Sequence, residues 1–343
     1  MNKPLVILAV ESSCDETSAA VLFDLEVKSN IIASQSIHEK YGGVVPELAS
    51  RAHQSNIVPV VEEALKFAGI EFSDIDLIAC THGPGLLGAL QVGVAFCKSL
   101  SIALNKPLVL VNHMQAHILA HFIRSDFSFE KGVPNFPFLC LTVSGGHTQL
   151  VMVHSHLEMN VVGKTIDDAA GEAFDKAAKV MGLPYPGGPH IDRLSRQGDS
   201  KKFKFSIPNT GALDFSFSGL KTSLLYFIQK ENQTNPNFVS ENIHDLAASY
   251  QKTIIHYLMK KMELAIDQFQ PASIGLAGGV SANSVLRESF IDLGEKRAIK
   301  SFIPPFEYTT DNAAMIGVAA YFMFSNGLKS ELSEPPLARL PLD

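Results

Sequence analysis

Cysteine is scarce in this chain of 343 residues, and the four present, Cys14, Cys80, Cys97 and Cys140, show no CxxC spacing. Such a set suits neither a disulfide framework nor a cysteine zinc site and fits reduced thiols in the cytoplasm. Long apolar runs are missing as well. The run Ala313–Phe324 has 12 residues, short of the roughly 20 that a membrane helix needs. At the start, Leu5–Val10 is six residues long and runs into Glu11, too short for the core of a secretion signal. There is no excess of positive charge: the formal balance is −7, which argues against coating nucleic acid non-specifically but leaves room for a local basic patch. No GxxxxGK[ST], GxSxG or HExxH occurs, so neither a P-loop, a hydrolase elbow nor a zincin helix is expected. A Rossmann dinucleotide site is not expected either.

What is present is an ordinary globular mixture, 46% apolar and 18% charged. Against about 150 residues per domain, the length predicts two domains, large enough to bury cores without staples. Leu5–Val10 reads as a strand buried on both faces. The polar cluster Glu11–Thr17 follows, then a second strand at Ala19–Phe23. The same plan returns about 133 residues later, with Phe138–Val143, the turn Ser144–Thr148 and Leu150–Val153. Two strand–turn–strand units suggest duplicated α/β lobes.

Further elements alternate in the α/β manner. Ser55 and Asn56 are candidate caps for a helix ending at Gly69, with Pro59 in its first turn. A strand at Leu77–Cys80 leads into Thr81–Gly85 and an apolar helix through Leu104. A strand at Leu108–Val111 ends at His113, His117 and His121. Asp245–Phe269 is periodic and helical, Lys230–Ser240 reads as a polar loop, and the Pro-rich tail after Gly327 as an extended segment.

Four glycine turns follow predicted strands: Thr81–Gly85, Ser144–Gly146, Pro186–Pro189 and Ala277–Val280. One such turn is usually only a tight turn. Four of them at strand ends point to a nucleotide cleft between two lobes, where free backbone N–H groups meet phosphate. His113, His117 and His121 recur at intervals of four, so two of them share a helix face and can bind one metal. A carboxylate must complete such a site, and Asp311, opening the last apolar helix, is a candidate for ligand or for helix cap. Asp168, Glu172 and Asp175 form an acidic stripe suited to accept hydrogen bonds from ribose or amino-acid hydroxyls. After Asp192, the residues Arg193, Arg196, Lys201, Lys202 and Lys204, with Phe203 and Phe205, form the best local candidate for RNA contact, or simply a solvated surface.

Taken together, ESSCDETSAAV, YGGVVPELASRAH, THGPGLLGAL, NHMQAH, VSGGHTQL, IDDAAGEAFDKAAKVMGLPYPGGP, DFSFSGLKT, AGGVSAN and TDNAAMI resemble one family, in family order from Glu11 to Ile316. It is the tRNA N6-adenosine threonylcarbamoyltransferases, the bacterial TsaD proteins once labelled O-sialoglycoprotein endopeptidases. The resemblance implies an α/β, two-lobed, actin-like and Hsp70-like ATPase fold. It places one lobe at 1–135 plus 305–343, carrying the histidine motif, and the other at 136–304, carrying most adenylate-binding motifs.

The implied reaction moves the threonylcarbamoyl group from threonylcarbamoyl-AMP to the N6 amine of the adenosine adjacent to the anticodon in tRNA. The implied metal ligands are His113, His117 and Asp311, for one divalent metal, Fe2+ favoured and Zn2+ compatible. The implied adenylate-binding residues are Thr142, Val143, Ser144, Gly145, Gly146, Asp175, Gly188, Asp192 and Asn283. Asp15 and Glu16 are candidates for a general base, with none assigned. The implied partners are tRNA and the proteins TsaB and TsaE, with no membrane and a cytoplasmic location. Relatives often carry Glu-Gly where this chain has Gln115-Ala116, which removes the base that a metallopeptidase would recruit there. The rival readings are that metallopeptidase, a small-molecule kinase of the same fold, and an Hsp70-like scaffold.

Overall fold

The computed structural model describes residues 3–124, 132–207 and 210–342. Two compact units divide the chain. The first comprises Met1–Val133, His154–Met159 and Pro304–Asp343, and the second Pro134–Val153 and Asn160–Ile303.

In the first unit, β1 (Val6–Glu11) pairs antiparallel with β2 (Glu16–Phe23), which pairs antiparallel with β3 (Glu26–Ser34). The chain then forms α1 (Pro46–Ala68), β4 (Leu77–Gly83), α2 (Leu87–Leu104), β5 (Leu108–Asn112) and α3 (His113–Leu119). The sheet order is β3-β2-β1-β4-β5, with β4 parallel to both β1 and β5. All six residues of β1 are buried, as expected for a strand covered on both faces. Val6, Leu8 and Val10 pack with Ile57, Val61 and Leu65 of α1 and Val94 and Cys97 of α2.

In the second unit, β6 (Phe138–Val143), β7 (Thr148–Val153) and β8 (Met159–Lys164) precede α4 (Ala170–Val180), α5 (Gly187–Ser195), α6 (Ser218–Thr234) and α7 (Phe238–Phe269). Then come β9 (Ser273–Ala277), α8 (Ser284–Lys296) and β10 (Lys300–Phe302). The order β10-β9-β6-β7-β8 repeats that of the first sheet, with β6 in the place of β1. The directions repeat too, β6 running antiparallel to β7 and parallel to β9. The chain returns to the first unit for α9 (Ala313–Ser325), which packs on the sheet so closely that a Cβ at Gly317 would lie 2.3 Å from Leu22.

Two sequence expectations are corrected. The first helix begins at Pro46 rather than at Ser55, and Pro59 lies inside it. Ser55 turns its hydroxyl back to the Arg51 carbonyl, so its capping chemistry is spent within the helix. The polar stretch Lys230–Ser240 is mostly helical: α6 continues to Thr234 and α7 starts at Phe238. Polarity there marks solvated helix faces, not a loop. α2 is long and apolar enough to cross a membrane by length and composition, and its buried Val94 and Cys97 belong to the first core. All four cysteines are free thiols.

Candidate functional site

In the first unit the candidate metal centre starts where β5 becomes α3. Asn112 ends the strand and caps the helix, its Oδ1 accepting from the Met114 N–H at 2.9 Å and the Gln115 N–H at 3.2 Å. This cap fixes the first turn, and the four-residue spacing puts His113 and His117 on one face. Asp311 arrives from the loop before α9. It does not cap that helix; Asn312 does, accepting from the Met315 N–H. Asp311 Oδ1 lies 3.5 Å from His113 Nε2 and 3.1 Å from His117 Nε2. Donor atoms of the three residues all fall within 4.8 Å of one another.

Among the described residues, both nitrogens of His117 are buried without a hydrogen-bond partner, the Asp311 oxygen lying near Nε2 but off a hydrogen-bonding line. A buried imidazole left so is costly within the chain alone, and a cation between the three side chains would satisfy Nε2, the nitrogen that faces Asp311. Two imidazoles and one carboxylate, with no thiolate, suit a first-row divalent metal such as iron or zinc. His121 stands apart, in a 3-10 turn beyond the end of α3, with its Nδ1–H on the Ile118 carbonyl.

Behind His113 stands a residue that no sequence motif singles out. Glu11 is fully buried and accepts at Oε2 from His113 Nδ1 at 3.0 Å and from the Thr81 hydroxyl at 2.5 Å. Its Oε1 accepts from the Ser13 N–H. A carboxylate on Nδ1 leaves Nε2 facing Asp311, the arrangement that orients metal-binding histidines. Burial pushes the Glu11 carboxyl up, but the pull of His113 and Ser13 outweighs it and holds the group below its ordinary range. Burial likewise opposes the pull of His113 and His117 on Asp311, which ends well below the usual value. The available signal was a lone charge closing an otherwise apolar strand.

Asp15 and Glu16 sit half-buried where the first turn enters β2. The Glu16 carboxyl is pushed up to about 9 by burial and then by the neighbouring Asp311 and Asp15. In the metal-free chain that shift favours its protonated form near neutrality. His53 braces this turn from α1, with Nε2–H on the Cys14 carbonyl at 3.0 Å and Nδ1 accepting from the Thr17 hydroxyl at 2.8 Å. Gln115 donates to the His156 carbonyl at 3.1 Å, a structural use of the position where a peptidase needs a base.

The run Gly83–Gly88 spells GxGxxG from the end of β4 into the start of α2, the pattern of a Rossmann site, which was not expected. Its glycines are nevertheless occupied by the chain itself. A Cβ would lie 1.9 Å from the Leu337 carbonyl oxygen at Gly83, 2.6 Å from the Ser13 carbonyl oxygen at Gly85 and 2.4 Å from Ser50 Oγ at Gly88. No room is left there for a pyrophosphate.

The second unit collects the remaining candidates beyond the C-terminal ends of the parallel strands β6 and β9, where α/β proteins place ligands. Thr142 and Val143 close β6 and are fully buried, backbone included. Ser144 closes its own turn, N–H to the His147 carbonyl at 2.8 Å and Oγ accepting from the His147 N–H at 3.1 Å. A Cβ at Gly145, Gly146 or Gly188 meets nothing within 4 Å, so packing does not demand glycine there and space lies open beside the backbone. Gly278 differs: at φ +86° its Cβ would strike the Val143 carbonyl oxygen at 2.4 Å, which ties the two strand ends together.

Asp175 Oδ1 accepts from the N–H groups of Gly187 at 2.7 Å and Gly188 at 3.3 Å. Asp192 accepts from the Ser284 hydroxyl at 2.8 Å and from Gln251 at 3.3 Å. Asn283 caps α8 through the Leu286 N–H at 2.9 Å and donates to Gln251 Oε1 at 2.7 Å. Gln251, buried mid-helix in α7 and missed from the sequence, thus links Asp192 to Asn283. Of the acidic stripe, Asp168 and Glu172 pair with Lys176 at 2.6 and 2.9 Å. In the basic stretch, Lys202 pairs with Asp245 at 2.7 Å and Arg196 lies 3.6 Å from Asp192.

Residues 26–318 match the family model of the tRNA N6-adenosine threonylcarbamoyltransferases, TsaD. A protein of that name from Christiangramia forsetii is 57% identical over 94% of this chain and 94% of its own. Its namesake from Porphyromonas gingivalis is 52% identical over 99% of each chain. The chain belongs to the TsaD family. A third TsaD relative, from Thermosipho africanus, is 48% identical over 95% of this chain and 97% of its own.

Solved structures add the fold class. HypF from T. kodakarensis aligns with TM-score 0.61 at 13% identity, over 98% of this chain and 50% of that one. The ROK hexokinase from Thermus thermophilus aligns with TM-score 0.52 at 15% identity, over 94% of this chain and 100% of that one. The fold is the actin-like ATPase fold, α/β, with each unit built on a mixed five-stranded sheet.

Proposed function

We propose that this chain transfers the threonylcarbamoyl group of threonylcarbamoyl-AMP to the exocyclic N6 amine of the adenosine adjacent to the anticodon in tRNA, releasing AMP. Family membership over nearly the whole chain carries this reading, and it favours neither peptidase nor kinase. In the transfer, a bond forms between the amine nitrogen and the carbamoyl carbon. The bond from that carbon to the phosphate oxygen breaks, and the amine proton leaves. The donor is already activated as a mixed anhydride, so positioning and charge stabilisation supply much of what the protein must add.

On this reading the second unit, with the segment 136–304, binds the adenylate. Gly145 and Gly146 bring backbone N–H groups to the phosphate, Gly188 keeps space open beside Asp175, and Asp192 and Asn283 hydrogen-bond the nucleoside. The first unit, with 1–135 and 305–343, holds one divalent metal through His113, His117 and Asp311. When bound, that metal supplies Lewis acidity toward an acyl oxygen; Fe2+ is favoured by family resemblance, and the donor set suits Zn2+ as well. Glu11 fixes the orientation of His113. No residue is assigned as general base. The protein works in the cytoplasm together with TsaB and TsaE.

The test supplies threonylcarbamoyl-AMP labelled in its carbamoyl carbon to the purified chain with TsaB, TsaE and tRNA. Label recovered in a modified adenosine supports the proposal, together with its loss on His117→Ala. Label released only as bicarbonate, with tRNA unmodified, contradicts it.

A further inference from the structure

After α9 the chain runs on as an extended segment, 328–342, that follows the first sheet rather than leaving it. Ser330 meets the start of β5, its N–H on the Leu108 carbonyl at 2.9 Å and its Oγ accepting from the Leu110 N–H at 3.0 Å. Lys98 of α2 donates to the Glu334 carbonyl. The segment next crosses the end of β4. His82 Nε2–H donates to the Pro335 carbonyl at 2.8 Å, the Leu337 N–H to the His82 carbonyl at 2.9 Å, and the Gly85 N–H to the Ala338 carbonyl at 3.2 Å. It approaches Gly83 so closely that any Cβ there would collide with the Leu337 carbonyl oxygen. Finally it reaches the end of β5, where Asn112 Nδ2 donates to the Pro341 carbonyl at 2.8 Å.

Both strand ends held in this way feed the metal centre. On β4, the residue before His82 is Thr81, whose hydroxyl holds Glu11, and Glu11 holds His113. On β5, Asn112 uses its carbonyl oxygen to cap α3 and its amide nitrogen to grip the segment. One carboxamide does both in one orientation only, since a flip would set its NH2 against two N–H donors. We propose that the C-terminal segment is a positioning strap: by tying the end of β4 to the end of β5, it sets the start of α3 so that His113 and His117 face Asp311. This inference rests on the reading of His113, His117 and Asp311 as a metal centre. Asn112 is then a positioning residue, acting on the ligands through the helix it caps and the strap it binds.

The test uses the full chain and Co2+ alone, read by its visible absorption and by titration against a chelator. Asn112→Asp keeps a good cap but, ionised, cannot donate to Pro341. Leu337→Pro removes the donor to His82 and touches nothing in the metal site. Each variant is expected to raise the Co2+ dissociation constant about tenfold, the lower range for losing outer support of a metal site, and to alter the Co2+ spectrum. Melting of the metal-free chain should move by no more than about 4 °C, as for one lost hydrogen bond. Combined, the two changes should do little more than either alone, because they open one strap. Co2+ affinity and spectrum unchanged in both variants would overturn the proposal. So would weakening by Asn112→Ala alone, which would make the cap sufficient. Failure of the native chain to bind Co2+ would instead bring down the metal reading and the strap with it.

Discussion

Replacing Glu11 with glutamine removes a negative charge that lies 3.0 Å from His113 Nδ1 in a fully buried position. In the metal-free chain, burial pushes the His113 imidazole down, yet Glu11 and Asp311 together hold it well above the ordinary histidine value of 6.5. An imidazolium must shed its proton before it can coordinate. Metal binding to the native chain at pH 7.5 should therefore release a proton, and affinity should climb with pH until the raised value is passed. Glu11 acts in two opposing directions, strengthening proton competition while orienting the imidazole and raising its basicity as a ligand.

Loss of such an outer carboxylate costs about 10- to 100-fold in metal affinity, roughly 1.4–2.7 kcal/mol. Glu11→Gln should show that full cost at pH 9 and a narrower gap at pH 6, where the native chain is handicapped by its own proton. The assay is a chelator-competition titration with Zn2+ between pH 6 and 9. Calorimetry in buffers of different ionisation enthalpy would count the protons released. Equal affinities at pH 9, or no proton released by the native chain at pH 7.5, would refute the reasoning. The same pair affects folding: stability from the raised His113 is fully present below 6.5 and is lost as pH rises through its folded value. In the metal-free state the native chain should thus hold its largest advantage over Glu11→Gln in mild acid.

Other consequences concern the second unit. Asp167 accepts from the N–H groups of Phe217 and Ser218 and the hydroxyls of Ser216 and Ser218 at the start of α6. Asp167→Ala should cost about 1 kcal/mol in urea unfolding at pH 7, as for a lost helix cap. Burial raises this carboxyl, but those bonds together outweigh it and hold the group below its ordinary 3.8, so the difference should persist above that value and vanish as pH falls through the lower folded one. Gly171→Ala would push a Cβ to 2.6 Å from the Ser144 carbonyl oxygen and 2.8 Å from Gly145 Cα, and should weaken AMP binding by about tenfold, roughly 1.4 kcal/mol, in titration calorimetry. Gln251→Leu strips the partner from Asn283 Nδ2 and should cost about 1–3 kcal/mol of stability, with AMP affinity falling alongside.

The sequence carried the framework because burial leaves a plain trace. Leu5–Val10 and Phe138–Val143 are unbroken apolar runs ending in polar turns, and they became the matching central strands β1 and β6 of two sheets with one strand order. A four-residue interval on a helix made a histidine pair legible but fitted His113 with His117 and His117 with His121 alike, and only the family resemblance chose the first pair. Asp311 was less legible, since a carboxylate opening a helix looks the same as cap or ligand, and only Asn312 taking the cap separates the two. His121 followed the same interval but fell beyond the end of α3, which propensity does not mark. Glu11, Thr81 and Gln251 were not legible because they act across strands and helices far apart in sequence, as in the 70-residue separation of Thr81 and Glu11. The start of α1 was misplaced because Ser55 offers a cap to its own helix interior, while Pro46, nine residues earlier, sits at the true first turn.

Modification of tRNA adenosine through the His117 site can be read in the cell. The most direct measurement is nucleoside mass spectrometry of bulk tRNA from cells depleted of the protein, complemented with either the native chain or His117→Ala. Such cells keep every partner present. Threonylcarbamoyladenosine is expected to disappear on depletion, return with the native chain and stay absent with the variant. Persistence of the nucleoside after depletion, in cells with no second copy of the enzyme, would contradict the proposed function.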